Sequence, residues 1–181
     1  AWNCELSSID TGLLLCGVLT ARQYYKGTEV EVLATKIYGR VDWPWMRGQG
    51  KTLTMGWNPE NGFLRATWDG YSEHTMTYLM GLGSGTHPLP PEAWKIWKRV
   101  PVITYDEFTY MACPPLFTHQ FSHAFVDYRG LRDDVANYYR NSVIATKAHR
   151  RMCIRLAQRF PHFSEDLWGI TASDYAGGYT A

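Results

Sequence analysis

The sequence has no apolar run long enough to cross a lipid bilayer. Its longest run, Leu13–Leu19, is far shorter than the roughly 20 residues that a spanning helix needs. Basic and acidic side chains nearly cancel, with 18 Lys and Arg against 17 Asp and Glu. No basic stripe is therefore present to attract a phosphate backbone. We expect neither a membrane span in this chain nor a nucleic-acid partner.

Cysteine patterns and phosphate-binding motifs are also missing. The four cysteines are widely scattered and form no C-x-x-C pair, which argues against structural zinc and against a disulfide scaffold. The sequence contains no Gly-rich phosphate loop, nucleophile elbow or dinucleotide fingerprint. We therefore expect no cofactor.

Aromatic residues are plentiful, with 8 Trp, 12 Tyr and 7 Phe in 181 residues. Several of them stand beside Gly or Pro rather than inside periodic segments, as in Trp43-Pro44-Trp45 and in Trp68-Asp69-Gly70-Tyr71. Aromatic side chains in such loops often line a ligand groove, where their faces take apolar contacts and their polar tips hydrogen-bond. Filling of the core is the alternative for each of them.

Hydrophobic periodicity predicts a mostly α fold. Residues Ile9–Tyr25 are apolar on nearly every side, which predicts a buried helix, and Ser7 with Asp10 fits a capping box at its start. A second, amphipathic helix follows from Thr28, and the clearest long helix is Val135–Phe160. The predicted buried stripes are Val30, Leu33, Ala34, Ile37, Tyr38 and Val41 for the second helix, and Val135, Ala136, Tyr139, Val143, Cys153, Ile154 and Ala157 for the last.

Shorter elements are predicted between these helices. Segments Thr52–Trp57 and Phe63–Thr67 flank a turn-rich stretch and predict a short β-hairpin. Further helices are predicted at Tyr71–Leu82, after Pro91 and at Leu116–Tyr128, with a strand at Val102–Tyr105 and an irregular tail. No internal repeat or linker is evident, so we expect residues 1–181 to form a single domain.

Two pairs of acidic residues are candidates for catalysis. Asp69 and Glu73 stand four residues apart among aromatic residues at a predicted helix entrance, and Glu5 and Asp10 precede or begin the first helix. A carboxylic acid beside aromatic walls is desolvated and can donate a proton near neutral pH, while a second carboxylate activates water or acts as a nucleophile. The alternative is that Asp69 and Asp10 cap helices and that Glu73 lies in a first turn.

Histidines and a further acidic cluster complete the candidates. The spacing of His119, His123 and Asp127 places all three on one face of a predicted helix, next to Arg129. Two histidines and a carboxylate can bind a metal, but Gln120 replaces the Glu of the H-E-x-x-H motif. We therefore favour polar groove lining or a satisfied buried network and expect no metal. Near the C-terminus, Trp168 is surrounded by carboxylates, of which Asp174 lies in a Gly-rich tail.

Eight segments taken together resemble the glycoamylase-like family. They occur in the family's order and cover almost the whole chain: ELSSIDTGLLL (5–15), VDWPW (41–45), MGW (55–57), WDGYSE (68–73), GSGTHP (83–88), PLFTHQFSH (115–123), DYRG (127–130) and WGITASD (168–174). The resemblance implies part of an (α/α)6 toroid, the six-hairpin-glycosidase-like architecture, with a short β-hairpin. Because helices average about eleven to twelve residues before connections, 181 residues are too few for twelve of them. We therefore expect an incomplete domain.

The resemblance also implies a function. Relatives include bacterial endo-β-1,2-glucanases, which implies a glycoside hydrolase with a glucan substrate, located in the periplasm or outside the cell. Transglycosylation, as in cyclic β-1,2-glucan synthases, and non-catalytic sugar binding are the alternatives. By this similarity Glu73 is the general acid and Glu5 the next functional carboxylate. The expected sugar-binding residues are Asp10, Trp45, Asp69, Tyr71, His123, Asp127, Arg129, Trp168 and Asp174.

Overall fold

The computed structural model describes residues 4–180 and divides the chain into two compact units. Unit 1 comprises residues 4–70 and 74–98, and unit 2 comprises residues 71–73 and 99–180. Helices provide most of the regular structure in both units, and the strands form three small antiparallel sheets. The prediction of a mostly helical fold is confirmed at this level. Across residues 4–180, no helix is both long enough and apolar enough to cross a membrane.

Unit 1 combines four helices with a three-stranded sheet. Its helices are α1 (Ser8–Tyr24), α2 (Glu29–Gly39), α3 (Thr75–Leu82) and α4 (Ala93–Ile96). Its strands are β1 (Leu6–Ser7), β2 (Gly56–Asn58) and β3 (Gly62–Phe63), paired in that order. The predicted hairpin is confirmed by the pairing of Trp57 with Phe63.

The core of unit 1 is tied together by buried hydrogen bonds between aromatic and hydroxyl groups. The Ser8 hydroxyl accepts a hydrogen bond from Trp68 Nε1 at 2.8 Å and donates to the Thr54 carbonyl at 2.6 Å. The Tyr78 hydroxyl donates to the Trp68 carbonyl and accepts from the Leu53 amide, at 3.1 Å and 3.0 Å. These bonds fix the start of α1 against the segments that lead into and out of the sheet.

Two expectations about the first helices are wrong. Helix α1 is not buried all round, because its buried face consists of Ser8, Gly12, Leu15 and Cys16 while Leu14 is 64% exposed. In α2 only Ala34 of the predicted stripe is buried. The larger side chains Val30, Leu33 and Ile37 are exposed, because α2 packs mainly against α1 and buries only a narrow strip of its surface there.

Unit 2 is built around a long helix. It contains the strands β4 (Val102–Tyr105) and β5 (Phe108–Met111), a 3₁₀ turn at Leu116–His119, α5 (Phe121–Phe125), α6 (Tyr138–Leu156), β6 (Ser173–Tyr175) and β7 (Gly178–Thr180). Strands β4 and β5 form a hairpin, as do β6 and β7. Both β5 and the 3₁₀ turn pack against α6. The predicted strand at Val102–Tyr105 is confirmed, whereas the tail forms a hairpin where we expected irregular structure.

Three helix predictions need correction. The helix expected at Tyr71–Leu82 begins only at Thr75, so Glu73 lies before it rather than within it. The continuous helix expected at Leu116–Tyr128 is interrupted at Gln120, which has φ −121°, and ends at Phe125. The helix expected at Val135–Phe160 covers only Tyr138–Leu156, so Val135 lies before it. Its predicted stripe is displaced, since Tyr139 is exposed and the buried residues are Tyr138, Asn141, Ser142, Ala145, Ala148 and Cys153.

Candidate active site

The Glu73 residue is half-buried and is held by serines from two directions. The Ser72 hydroxyl donates a hydrogen bond to Glu73 Oε2. The Ser122 hydroxyl of α5 donates to the Glu73 backbone carbonyl at 2.8 Å. One serine therefore orients the carboxylate, and the other fixes the main chain that carries it.

A buried polar network holds the segment just before Glu73. The Tyr71 hydroxyl lies 3.0 Å from His119 Nδ1 and accepts a hydrogen bond from Asn141 Nδ2 at 3.2 Å. Asn141 also accepts from the Met111 amide at 2.7 Å and donates to the Met111 carbonyl at 3.2 Å. Tyr71, an expected sugar-binding residue, is therefore part of the packed interior of unit 2, and its role in sugar binding stays a prediction.

Burial keeps this network uncharged. Desolvation lowers the pKa of His119 to about 4, and the nearby His149 and His123 add to the lowering. Burial also raises the pKa of Tyr71 above its ordinary value. Both side chains are therefore neutral at neutral pH and act as fixed hydrogen-bonding groups beside the Glu73 segment.

Three of the expected sugar-binding residues meet at one cavity of about 320 Å³. His123, Asp127 and Arg129 line it together with Tyr139. Asp127 Oδ1 accepts a hydrogen bond from the Arg129 amide at 3.0 Å and another from Arg129 Nε at 2.9 Å. Asp127 Oδ2 accepts a third from Arg129 Nη2 at 2.8 Å. These hydrogen bonds lower the pKa of Asp127 to about 2. The cavity therefore presents an ion pair with no net charge.

The expected alignment of His119, His123 and Asp127 on one helix face is wrong, because α5 ends before Asp127. His119 instead bonds Tyr71, and His123 Nε2 lies 2.9 Å from the Ser142 hydroxyl of α6. Burial lowers the pKa of His123, so its imidazole is neutral at neutral pH. Within residues 4–180, no group of three or more His, Cys, Asp or Glu side chains is arranged to hold a metal ion.

Unit 1 carries four of the predicted site residues. Glu5 is exposed just before β1. Its aliphatic side-chain carbons lie over Gly56, because a Cβ atom built on Gly56 would lie only 2.9 Å from Glu5 Cγ. Asp10 is exposed in the first turn of α1, where its amide donates to the Ser7 cap. Asp69 is also exposed, and its carbonyl accepts from the Lys98 amide at 2.7 Å.

Trp45, the fourth of these residues, belongs to an aromatic cluster on the small sheet. Its ring centroid lies 4.9 Å from that of Phe63 and 5.9 Å from that of Trp57, both with tilted planes. The indole is 43% exposed and its amide donates to Asp42 Oδ1 at 2.9 Å. A fixed, half-exposed indole of this kind is suited to contact a sugar face.

Trp168 and Asp174 do not line the cavity around His123. The Trp168 ring is half-buried, with its centroid 6.3 Å from that of His149. His149 Nε2 accepts a hydrogen bond from the Ile170 amide at 2.9 Å, which anchors this part of the tail on α6. Asp174 is exposed on β6 opposite Tyr179. Their roles in sugar binding stay predictions.

Three residues near the site were not predicted from the sequence. Ser72 and Ser122 hold Glu73, and Cys113 is a half-buried free thiol close to Ser72 and Glu73. Burial raises the pKa of the Cys113 thiol, and the nearby Glu73 raises it further, against an opposing hydrogen bond with Ser72. Both serines stand within segments that carry the family resemblance, which was the one available signal for them.

Comparison with known proteins identifies the family of the chain. The family model named Glycoamylase, described as "Putative glucoamylase", matches residues 65–181. This match covers more than half of the chain, so the chain belongs to the glycoamylase family. The resemblance found in the sequence segments is therefore confirmed.

Individual relatives are enzymes that act on β-1,2-linked glucans. An exo β-1,2-glucooligosaccharide sophorohydrolase (non-reducing end) from Parabacteroides distasonis is 26% identical, over 96% of this chain and 29% of the relative. An endo-β-1,2-glucanase from Chitinophaga pinensis, solved in complex with sophorotriose and glucose, is 26% identical with a TM-score of 0.86, over 97% of this chain and 46% of that one. A β-1,2-glucanase from Parabacteroides distasonis shares the fold, with a TM-score of 0.85 at 23% identity, over 97% of this chain and 30% of that one. The chain thus spans less than half the length of each of these relatives.

Proposed function

We propose that the protein to which this chain belongs is a glycoside hydrolase that cleaves β-1,2-glucan, with Glu73 as its general acid. The observation that carries the proposal is the Glu73 site, where Ser72 orients the carboxylate and Ser122 fixes its backbone carbonyl. The named activities of relatives across 96% and 97% of this chain support the substrate class. Because the chain spans less than half of those relatives, the substrate of the whole protein is part of the proposal.

In the proposed reaction, the Glu73 carboxylic acid transfers its proton to the glycosidic oxygen while the bond between that oxygen and the anomeric carbon breaks. A second carboxylate either attacks the anomeric carbon or removes a proton from the attacking water. Glu5 is our candidate for this second group, supported by its place in a segment that resembles the family. The Ser72 hydroxyl stabilises the glutamate anion that forms when the proton has left.

The architecture and location are proposed on the same basis. We propose that residues 1–181 are an incomplete single domain and contribute part of an (α/α)6 toroid. The TM-scores of 0.86 and 0.85 to glucanase structures support this architecture. A substrate of this class is met outside the cytoplasm, so we propose a periplasmic or secreted location. Cell fractionation of the source organism with an antibody against the chain would test it.

The test compares the full-length protein with its Glu73→Gln variant on linear β-1,2-glucan. We expect short oligosaccharides with free reducing ends from the parent, and a rate at least about 100-fold lower from the variant, because a general acid contributes about 10²–10⁴ in rate. Glu107→Gln is the matched control, since Glu107 is exposed and pairs with Arg151 on the surface at 3.3 Å. Glu5→Gln, measured beside them, tests the second carboxylate.

Other products would point to the alternatives. Rings or elongated chains in place of free reducing ends would identify a transglycosylase. Glucan binding without any turnover, unchanged in Glu73→Gln, would identify a sugar-binding module. Equal rates for parent and Glu73→Gln would refute the assignment of Glu73.

A further inference from the structure

Tyr139 occupies a place on α6 that packing in unit 2 does not explain. The preceding residue, Tyr138, is buried, and its hydroxyl donates to Asp133 Oδ2 at 2.6 Å and accepts from Arg99 Nε at 2.9 Å. Asn137 caps the helix by accepting from the Arg140 amide at 2.8 Å. These contacts fix the rotation of the first turn of α6. They leave the Tyr139 ring 43% exposed.

The Tyr139 ring forms a wall shared by two cavities of unit 2. One is the cavity of about 320 Å³ that also contains Asp127 and Arg129, and the other, of about 440 Å³, extends along α6 past Val143. His123 lines both cavities, and its ring centroid lies 6.3 Å from that of Tyr139. An exposed aromatic face thus stands beside polar groups on both sides.

The charged groups of the cavity of about 320 Å³ favour a ligand without charge. Asp127 and Arg129 neutralise each other through three hydrogen bonds, and both side chains remain well exposed. They therefore offer carboxylate acceptors and guanidinium donors together. The Ser142 hydroxyl holds His123 through its Nε2 atom. The second ring nitrogen of His123, Nδ1, takes no part in that hydrogen bond.

A pyranose ring has the complementary chemistry. Its hydroxyl groups each donate and accept hydrogen bonds, and its C–H face packs on an aromatic ring. We propose that Tyr139 is a stacking residue of a glucose-binding subsite, in which Asp127, Arg129 and His123 bind the hydroxyl groups of the same sugar. This inference rests on the proposed function and deepens it, since it adds a residue that we had expected to lie in the core.

The experiment uses the full-length protein and measures both binding and turnover. Binding of β-1,2-glucooligosaccharides is measured by calorimetry in the Glu73→Gln background, and kcat and KM are measured in the parent background. We expect Tyr139→Ala to weaken binding and raise KM by about 3- to 10-fold, the range of a single aromatic contact, with kcat changed less than KM. Tyr139→Trp retains a flat face and should keep most of the affinity.

The matched control is Tyr24→Ala, which removes another well-exposed tyrosine, at the end of α1. It should leave binding and KM unchanged. The thermal midpoint of each variant separates stacking from packing. If Tyr139→Ala lowers the midpoint but leaves oligosaccharide affinity unchanged, Tyr139 is a packing residue and the proposal is overturned.

The outcomes also separate this proposal from the proposed hydrolase function. If the parent cleaves glucan and Tyr139→Ala binds and cleaves it equally well, the subsite is refuted and the hydrolase function stands. If the parent binds glucan without cleaving it and Tyr139→Ala weakens that binding, the subsite stands and the hydrolase function is refuted.

Discussion

Two glycines of α1 have opposite surroundings and allow a sharp test of the packing in unit 1. A Cβ atom built on Gly12 would lie 2.5 Å from the Thr77 Oγ1 atom and 3.5 Å from its Cβ. A Cβ atom built on Gly17 meets nothing within 4 Å. Both glycines lie inside the same helix, so a change to alanine gives each of them the same gain in helix propensity. Only Gly12→Ala brings the new methyl group against α3.

For Gly12→Ala, the gain in helix propensity and the cost of the contact with Thr77 have opposite effects on stability. Replacing a glycine inside a helix by alanine stabilises the fold by about 0.5–1 kcal/mol, and this is the whole effect expected for Gly17→Ala. Insertion of an extra methyl group into a packed site costs about 1–3 kcal/mol. Gly12→Ala should therefore be destabilising by about 0–2 kcal/mol. Thr77 is fully buried, so its side chain has little room to move away.

A double-mutant cycle isolates the contact. Thr77→Ala removes the atom that the new methyl group would meet, and that hydroxyl has no hydrogen-bond partner among the described residues. The double variant Gly12→Ala/Thr77→Ala should therefore be more stable than the sum of the single changes predicts, by about 1–2 kcal/mol. Urea unfolding of the full-length protein, followed by tryptophan fluorescence, gives the four free energies. Equal stabilisation by Gly12→Ala and Gly17→Ala would refute the close approach of α1 and α3.

Three further predictions concern unit 2. Asn141→Ala removes three buried hydrogen bonds and should reduce the free energy of unfolding by about 2–4 kcal/mol, whereas Asn61→Ala, at an exposed position, should cost less in the same urea unfolding assay. Because the pKa of His119 is about 4 in the folded state and ordinary when unfolded, the unfolded chain binds more protons between these values. His119 should therefore contribute a fall in stability of up to about 1.4 kcal/mol per pH unit as pH drops from about 6.5 to 4. His119→Gln should reduce this slope without abolishing it, because burial also lowers the pKa values of His123 and His149. Ser122→Ala removes the hydrogen bond to the Glu73 carbonyl. It should lower kcat by about 5-fold, because one hydrogen bond contributes about 1 kcal/mol, and it should leave KM nearly unchanged. An unaltered kcat would contradict a positioning role for Ser122.

Strand β4 was predictable from the sequence and its partner β5 was not. Val102–Tyr105 consists of β-branched and aromatic residues, which favour a strand. Its connection to β5 is Asp106-Glu107, with Asp106 at a φ of 53°. The usual two-residue hairpin signals are Asn-Gly, Asp-Gly or a glycine at the first position, and Asp-Glu is none of these. The pairing therefore depends on the contact of β5 with α6, which no local pattern records.

The buried face of α6 shows why the hydrophobic pattern misplaced the core. Asn141 and Ser142 are buried because they bond the Met111 backbone and His123, partners that lie 30 and 19 residues away in the chain. Tyr139 is exposed although it is aromatic. A rule that places apolar residues inside and polar ones outside fails where a helix buries hydrogen-bonding groups.

The candidate site was predicted in part. Glu73 was suggested by an acid among aromatic residues, and His123, Asp127 and Arg129 do meet at one cavity. The serine that fixes the Glu73 main chain lies 49 residues away, and spacing along the sequence cannot indicate such a contact. The sequence motifs therefore suggest candidate catalytic groups more readily than the groups that orient them.

The short helix α5 carries two neighbouring residues, Ser122 and His123, that make different contacts. Ser122 bonds the main chain of the proposed acid, and His123 lines the cavity beside Tyr139. A single turn of helix cannot move one of these residues without moving the other. Occupancy of the cavity by a sugar would thus be sensed at the acid itself, so oligosaccharides too short to reach His123 should lose turnover rate as well as affinity. The length of the substrate would in this way control the chemistry at the bond being cut.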